Sequence, residues 1–529
     1  MWMLPCTAAM LPVEMLAAYY RTWTAGGAAA FEAVILAAYY TVLGVLAIYA
    51  AHRFWLVWTY FRYRSRVPGP PPRIERWPRV TVQLPIFNER YVVERLVAAC
   101  ARFDYPRELV EIQVLDDSTD ETRHIAAAGV ARFQAEGLAV HHITRPTREG
   151  FKAGALAEGL KSATGEFIAI FDADFLPPPD FLRRTIPYLA ADPGVGMVQA
   201  RVAHINRGHS ALTEVASILI DGHFVIEHGA RSRRGLFFNF NGTAGVWRRA
   251  AIESAGGWQH DTLTEDTDLS YRAQLAGWKF LYLPDVAVPA EVPVEMNALK
   301  AQQARWSKGL IQTARKLLPA ILRSRQPLAV KAEAFFHLTN CVSYPLMVLL
   351  SVLLLPAMML RTGQGWTSVL LADLPLFLLS TWSLSMFYLA AQRELHPRAW
   401  RRTYLYLPMV MAVGIGLAVR NSIDVIEALA GGRGEFARTP KYRIEARGDT
   451  FLAKAYRNPA GWAPLVELSL GLYFAAAIAY ALRTGGYATA PFLLLFLAGY
   501  WYTGVMSLGQ SWFERIKLSL RPAVDPAAV

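Results

Sequence analysis

Cysteine is scarce in this chain, and so is charge. Only Cys6, Cys100 and Cys341 occur among 529 residues, and no CxxC pair is present. That excludes a disulfide framework and a thiolate metal site, and all three read as inert thiols. Asp, Glu, Lys and Arg together reach only 18%, against 54% hydrophobic residues. A chain of this length so poor in charge is too apolar to be soluble unless part of it sits in lipid. Neither GxGxxG nor a Walker A loop is found, which removes the common dinucleotide and P-loop sites. No basic stretch precedes the apolar patches of the first 28 residues, and Glu14 and Arg21 interrupt them. A cleaved signal peptide is therefore not expected, and residues 1–30 read as an N-terminal segment lying at an interface. There is no internal repeat, and Pro68 to Pro72 is the one low-complexity tract.

What is present starts with a net charge of +12. Nucleic-acid binding is one source of such an excess. Basic cytoplasmic loops of a membrane protein are the other, and the positions of the basic residues favour it, so no nucleic-acid partner is expected. A first apolar run, 31–60, is followed by Arg62, Arg64 and Arg66, which predicts a spanning helix with its C-terminal end in the cytoplasm. Further apolar runs lie within 333–391 and 462–509, two spans in each. The run 403–419 is ambiguous by hydropathy alone. If it spanned, Arg433, Arg438, Lys441, Arg443, Arg447, Lys454 and Arg457 would fall outside, against the positive-inside rule. Residues 403–429 are therefore expected to form an interfacial helix, leaving five spans and a cytoplasmic tail at 510–529.

Between the first span and the others lies a mixed, more polar region, 68–290. Val80 to Leu84 alternates as a strand does, and Pro85 is expected to break it. Val110 to Leu115 and Phe167 to Phe171 read as strands ending in Asp116-Asp117 and Asp172-Ala173-Asp174. Helical stretches alternate with them, which predicts an α/β domain with a mostly parallel sheet. Ligands of such sheets bind beyond the carboxyl ends of the strands, where these carboxylates fall.

Four stations carry the chemistry. Asp172 and Asp174 on a tight turn offer hard oxygen ligands for Mg2+ or Mn2+ bridging a diphosphate. Asp117 can accept hydrogen bonds from a base or ribose; Asp117 or Ser118 can equally cap the helix expected from Thr119. Lys152, near a helix start, can reach a phosphate or the base. In Thr264-Glu265-Asp266 a carboxylate can take a proton from an acceptor hydroxyl, Asp266 being the candidate; Thr264 can also cap the helix expected through Leu275. Gln302, Arg305 and Trp306 share one helical face at i, i+3 and i+4. Arg305 can pair with a diphosphate, and Trp306 can stack on a pyranose or anchor the helix at the membrane.

This ordered set resembles the membrane-integrated family 2 glycosyltransferases, which include cellulose, chitin and hyaluronan synthases. The stretches Phe240 to Arg248, Gly256-Gly257-Trp258 and Gln302-Gln303-Ala304-Arg305-Trp306 look most like the cellulose-synthase-like A and C group of mannan, glucomannan and glucan synthases. The resemblance implies a GT-A-like cytosolic domain inserted between transmembrane helices, with interfacial helices at 291–325 carrying Gln302, Arg305 and Trp306. It implies that Pro85, Glu89, Asp117 and Lys152 contact the nucleotide. Asp172 and Asp174 would hold donor diphosphate and metal. Asp266 would be the base, aided by Thr264 and Glu265. Gln302 and Arg305 would meet the diphosphate, and Trp306 the acceptor. Phe436 to Lys441 is similar to the gating loop of processive synthases, within 430–455, so that Thr439 and Lys441 join the donor site. Two departures stand out: Pro440 between Thr439 and Lys441, and Val202 where many relatives carry Trp.

The expectation is a processive, inverting hexosyltransferase of the inner (plasma) membrane. It would use UDP-glucose or GDP-mannose to extend and export a β-1,4-linked polysaccharide, with the growing chain, the bilayer and envelope export proteins as partners. A non-processive enzyme acting on a membrane lipid is the alternative.

Overall fold

A computed structural model describes residues 25–361, 366–432, 434 and 438–519. Residues 1–24 of the N-terminal segment, Phe436 and Ala437 of the gating motif, and the tail from 520 onward lie outside the described residues.

The chain opens with a long apolar helix, α1 (Ala25–Arg62), and then builds a seven-stranded sheet. The strands are β1 (Val80–Ile86), β2 (Val110–Asp116), β3 (Ala139–Thr144), β4 (Phe167–Ile170), β5 (Val195–His204), β6 (Gly245–Arg248) and β7 (Lys279–Ala290). Helices α2 (Val93–Cys100), α3 (Thr122–Ala135), α4 (Phe151–Ser162) and α5 (Phe181–Ala191) connect the first five strands. Between β5 and β6 run α6 (Ala211–Gly222), one π-helical turn (His223–His228) and α7 (Gly229–Arg234). Between β6 and β7 come α8 (Arg249–Ser254) and α9 (Glu265–Leu275).

Sheet order is β3-β2-β1-β4-β6-β5-β7, parallel except for β6. The expected α/β class with a mostly parallel sheet is borne out. β4 is buried along its whole length, which is why its sequence reads as an unbroken apolar run. Because β6 runs antiparallel, its amino end lies at the rim where β1, β2 and β4 present their carboxyl ends. That reversal brings the loop Asn241 to Ala244 beside Asp172.

Two local expectations are corrected. Pro85 does not break β1: it pairs with Leu115, and Ile86 pairs with Asp116. Pairing with β4 stops at Gln83, so the side on which Pro85 lacks an N–H is open and costs no ladder hydrogen bond. Neither Asp117 nor Ser118 caps a helix. α3 starts at Thr122, and Asp116 Oδ1 instead accepts the Ser118 N–H at 2.8 Å in a tight turn.

After the sheet the chain is helical: α10 (Met296–Arg323), α11 (Leu328–Thr339), α12 (Ser343–Arg361), α13 (Trp366–Leu395), α14 (Thr403–Gly416), α15 (Ala418–Leu429), α16 (Ala463–Arg483) and α17 (Ala490–Ser519). Among the described residues five helical stretches are long and apolar enough to cross a membrane: 30–62, 328–361, 373–395, 463–483 and 487–516. α14 and α15 meet at a 42° bend. α14 packs tightly on α17, where a Cβ on Gly416 would meet Thr503 at 2.3 Å. α15 lies on α10, with Lys308 Nζ 2.6 Å from Glu427 and Arg315 donating to the Ala428 carbonyl at 2.7 Å. α10 is tied to the apolar helices by Lys300, whose ammonium contacts both Glu467 oxygens and Ser507 Oγ at 2.6–2.7 Å in a buried cluster. Removing one member of such a buried pair typically costs about 3–5 kcal/mol, so α10 is held firmly in register with α16 and α17. Cys100 and Cys341 are buried free thiols, as expected; Cys6 lies outside the described residues.

Candidate active site

The four sequence stations meet. Asp117, Lys152, Asp172, Asp174, Thr264, Glu265, Asp266, Gln302, Arg305 and Trp306 line one cavity of about 610 Å³, with Pro85, Glu89, Thr439 and Lys441. Every candidate named from the sequence is in its wall.

At the end of the cavity beside the carboxyl ends of β1, β2 and β4 each carboxylate carries a cation. Arg145 grips Asp117 with two nitrogens, Nε at 2.9 Å from Oδ1. Lys152 Nζ contacts Asp172 and donates to the Gly242 carbonyl at 2.8 Å. Lys441 Nζ sits 2.6 Å from Asp174 Oδ2. Arg438 Nε lies 3.2 Å from Glu89. Burial first of all pushes the Glu89 carboxyl up to about 8, against the pull of Arg438 and Lys441. Lys152 follows a left-handed Gly150 (φ 70°), where any side chain would be strained and would crowd His260 at 3.0 Å.

The segment from Arg438 to Arg443 is held at this end by Glu291, the residue after β7. Its two oxygens accept the Tyr442 N–H at 3.0 Å and the Arg443 N–H at 2.8 Å. That strap sets Lys441 on Asp174. Among the residues lining the cavity, Glu89 Oε2, Gln302 Oε1 and Thr439 Oγ1 are buried acceptors with no hydrogen-bond partner among the described residues. Leaving such groups unsatisfied costs about 1–3 kcal/mol each, which a polar ligand would recover.

At the other end stands α9. Thr264 occupies its N-cap position but does not cap it; its hydroxyl pairs with Thr313 Oγ1 at 3.2 Å. Asp266 Oδ1 accepts the Thr267 N–H at 2.7 Å. Its other oxygen faces Gly242, where an added Cβ would come within 3.0 Å of it. The amide of fully buried Gln199 holds that loop: Nε2 donates to the Thr243 and Ala244 carbonyls and Oε1 accepts the Asn241 N–H. Ala244 sits in left-handed backbone (φ 53°), a strained conformation of the kind that collects at active sites. Burial, and then the Glu265 carboxylate, push the Asp266 carboxyl up to about 7. Burial likewise raises Glu265, opposed chiefly by Lys152. Two carboxyls this close do not both ionise readily, which leaves one group poised to take up a proton near neutral pH.

Sequence reasoning missed Arg145, Arg438 as a ligand-end cation, Glu291 and Gly242. Arg145 had a signal: it follows the third strand at the rim where Asp117 had already been placed. Glu291 had none, because its role is to bind backbone distant in sequence.

The fit for a divalent cation can be tested on the donor set. Two carboxylates on one turn are few for a protein cage, and no group of three or more His, Cys, Asp or Glu is assembled among the described residues. Two carboxylates do suit Mg2+ or Mn2+, which keep waters and take remaining oxygens from phosphate. Lys152 and Lys441 now occupy both carboxylates, so a divalent cation would take the place of their ammonium groups.

Residues 78–309 match the family described as "Glycosyltransferase like family 2". Among its relatives, glucomannan 4-beta-mannosyltransferase 2 of Arabidopsis thaliana is 44% identical over 254 residues, 47% of this chain and 48% of that protein. Glucomannan 4-beta-mannosyltransferase 7 of the same plant is 38% identical over 326 residues, 60% and 59% of the two chains. The chain thus spans about half the length of the curated relatives it matches. Among solved structures it is similar to a mannosyltransferase of Pyrobaculum calidifontis in complex with GDP-Man and Mn2+, at 26% identity and a TM-score of 0.47, over 67% of this chain and 99% of that one.

Proposed function

We propose that this protein is a processive, inverting hexosyltransferase that builds a β-1,4-linked polysaccharide from GDP-mannose or UDP-glucose and passes it outward through its own helices. One observation carries this reading. The cavity that holds the carboxylates and cations of the donor end continues past Asp266 and Trp306 to Tyr49 of α1, Tyr344 of α12, Phe377 and Tyr388 of α13 and Phe496 of α17. Aromatic side chains along such a path suit the apolar faces of successive pyranose rings. The relatives' names favour mannose as the transferred sugar.

In the proposed chemistry Asp117 and Arg145 meet the base or ribose, and Lys152 and Arg305 the diphosphate. Asp172 and Asp174 would hold Mg2+ or Mn2+, which when bound neutralises charge on the departing diphosphate. Trp306 stacks on the terminal acceptor sugar and aligns its 4-hydroxyl. Asp266 takes the proton of that hydroxyl as its oxygen bonds to C1 of the donor. The bond from C1 to the diphosphate oxygen breaks on the opposite face, which inverts the anomeric centre. Thr439 and Lys441 belong to a lid that closes over the donor and keeps out water.

The base assignment sets a pH dependence. A general base works only when deprotonated, so turnover is expected to fall as the pH drops below about 7. Measuring kcat from pH 5.5 to 9 checks this; a flat profile through pH 7 would remove Asp266 from the role.

Topology follows from lengths. α14 has 14 residues, about 21 Å at 1.5 Å per residue, short of the ~30 Å hydrocarbon core. With α15 lying on α10, the pair is proposed to rest at the cytoplasmic interface of the inner membrane, the catalytic domain on the same side. A single cysteine at exposed Ala446, in a protein without Cys6, Cys100 and Cys341, is expected to stay unlabelled by an impermeant thiol reagent in intact cells. It should label once they are permeabilised. Labelling in intact cells would make the bent pair a sixth span.

The reading as a whole is tested with purified full-length protein given GDP-mannose or UDP-glucose separately, the product then being cut with linkage-specific hydrolases. A polymer cleaved by a β-1,4-mannanase or a cellulase is the expected result. Transfer of a single sugar to lipid would establish the non-processive alternative, and no transfer from any hexose donor would defeat both.

A further inference from the structure

Along the cavity wall beyond Asp266, the helix between β5 and β6 widens into its one π-helical turn, His223–His228. Such turns are rare, and they recur where side chains must be re-aimed at a functional site. This one carries His223, Glu227 and His228, and their hydrogen bonds run in a single direction. His228 Nε2 faces two oxygens, Asn241 Oδ1 at 2.6 Å and the Asn239 carbonyl at 3.1 Å, so it carries the hydrogen. Asn241 Nδ2 then donates to His223 Nε2 at 2.8 Å. That places the His223 hydrogen on Nδ1, which donates to Glu227 Oε2 at 2.8 Å. Arg231 reaches the same oxygen at 3.4 Å. Burial opposes ionisation of Glu227, yet Arg231 and His223 hold its carboxyl well below the usual range.

A neighbouring carboxylate shows what a purely structural role looks like here. Glu333 is 1% exposed and both its oxygens are used, one by Arg231 at 2.7 Å and the other by His52 of α1 at 2.8 Å. It pins the domain to the helices. Glu227 is built differently. Its side chain keeps 16% of its surface and that of His223 keeps 31%, and both line the cavity. All the protein contacts of Glu227 fall on Oε2; Oε1 has no hydrogen-bond partner among the described residues. An ionised carboxylate fixed in place with one oxygen left over is an acceptor waiting for a donor. The link between the two histidines is Asn241, whose next residue, Gly242, abuts Asp266 Oδ2. Glu227, His223 and Asp266 thus line one cavity.

We infer that His223 and Glu227 form a hydroxyl-binding subsite for the acceptor sugar chain, in which Glu227 Oε1 accepts a hydrogen bond from a pyranose hydroxyl and His223, held by Asn241, orients the carboxylate. The inference rests on the reading of the protein as a hexosyltransferase. In the subsite an ionised acceptor binds a neutral donor, a hydrogen bond worth about 1.5–3 kcal/mol, or roughly 10- to 100-fold in affinity. Such a bond selects for a free hydroxyl, while Trp306 recognises only the ring face.

The test is equilibrium binding of β-1,4-mannohexaose and cellohexaose to the full chain in nanodiscs, for wild type, Glu227→Gln and His223→Gln. Binding of GDP and UDP is followed in parallel. The expected result is oligosaccharide affinity down about tenfold or more in Glu227→Gln and less in His223→Gln, with nucleotide affinity within about twofold of wild type. In transfer assays KM for the acceptor should rise while KM for the donor stays put. Unchanged sugar affinity in both variants overturns the inference, as does wild-type protein that binds neither hexaose. A parallel loss of nucleotide affinity in both variants also overturns it, because that marks a structural role like that of Glu333. If the variants lose sugar binding but wild type transfers no hexose, the subsite stands and the enzymatic reading falls.

Discussion

Asp174→Ala is expected to abolish transfer, by at least about 10³-fold, while the protein stays folded and monodisperse in detergent. Charge neutralisation on a leaving diphosphate supplies several kcal/mol of transition-state stabilisation, each 1.36 kcal/mol being tenfold in rate. Asp174 is 4% exposed and points its Oδ2 at Lys441. Its removal takes away one of the two oxygen ligands proposed for the metal and leaves that ammonium without its closest carboxylate. The measurement is initial rate against Mg2+ or Mn2+ concentration, with circular dichroism and size exclusion as folding controls. Wild-type activity that needs no divalent cation and survives the substitution would sink the assignment.

Asp266→Asn is expected to lower turnover by roughly 10² to 10⁴ with nucleotide-sugar binding near normal. The amide keeps the size of the side chain and still accepts the Thr267 N–H that Oδ1 accepts now. It cannot take up a proton. A loss within about tenfold would mean that this side chain serves only the start of α9.

The sheet edge was legible because its strands announce themselves. Val110 to Asp116 and Phe167 to Ile170 are apolar runs that end in carboxylates, and a parallel sheet gathers such ends on one rim. The helical triad Gln302, Arg305 and Trp306 was legible for the same reason of local spacing. The other half of the site was not. Gly245 to Arg248 is only four residues long and shows no alternation, so nothing announced that it would enter the sheet reversed and carry Gly242 to Asp266. Pro85 looked like a break because its missing donor is visible in sequence, whereas the open side that excuses it is not. His223 and Glu227 lie in a stretch without a motif, and their meaning comes from Asn241, which the fold brings back to them. Glu291 binds backbone about 150 residues away.

The cavity shared between sheet and helices has a consequence for how this chain can be divided. Residues 78–309 carry the family's sequence signature, yet they supply only part of the cavity's wall; Tyr49, Tyr344, Phe377, Tyr388 and Phe496 complete it from helices on both sides of that stretch in the sequence. Lys300 and Glu467 meanwhile fasten α10 to a helix more than 160 residues on. An excised 78–309 fragment would keep the strand-end carboxylates but lose the far wall of its own cavity, together with the partner that neutralises Lys300. The sheet and the apolar helices therefore make one working part, and exchanging the helices with those of a relative would alter what the cavity holds as much as where it is held.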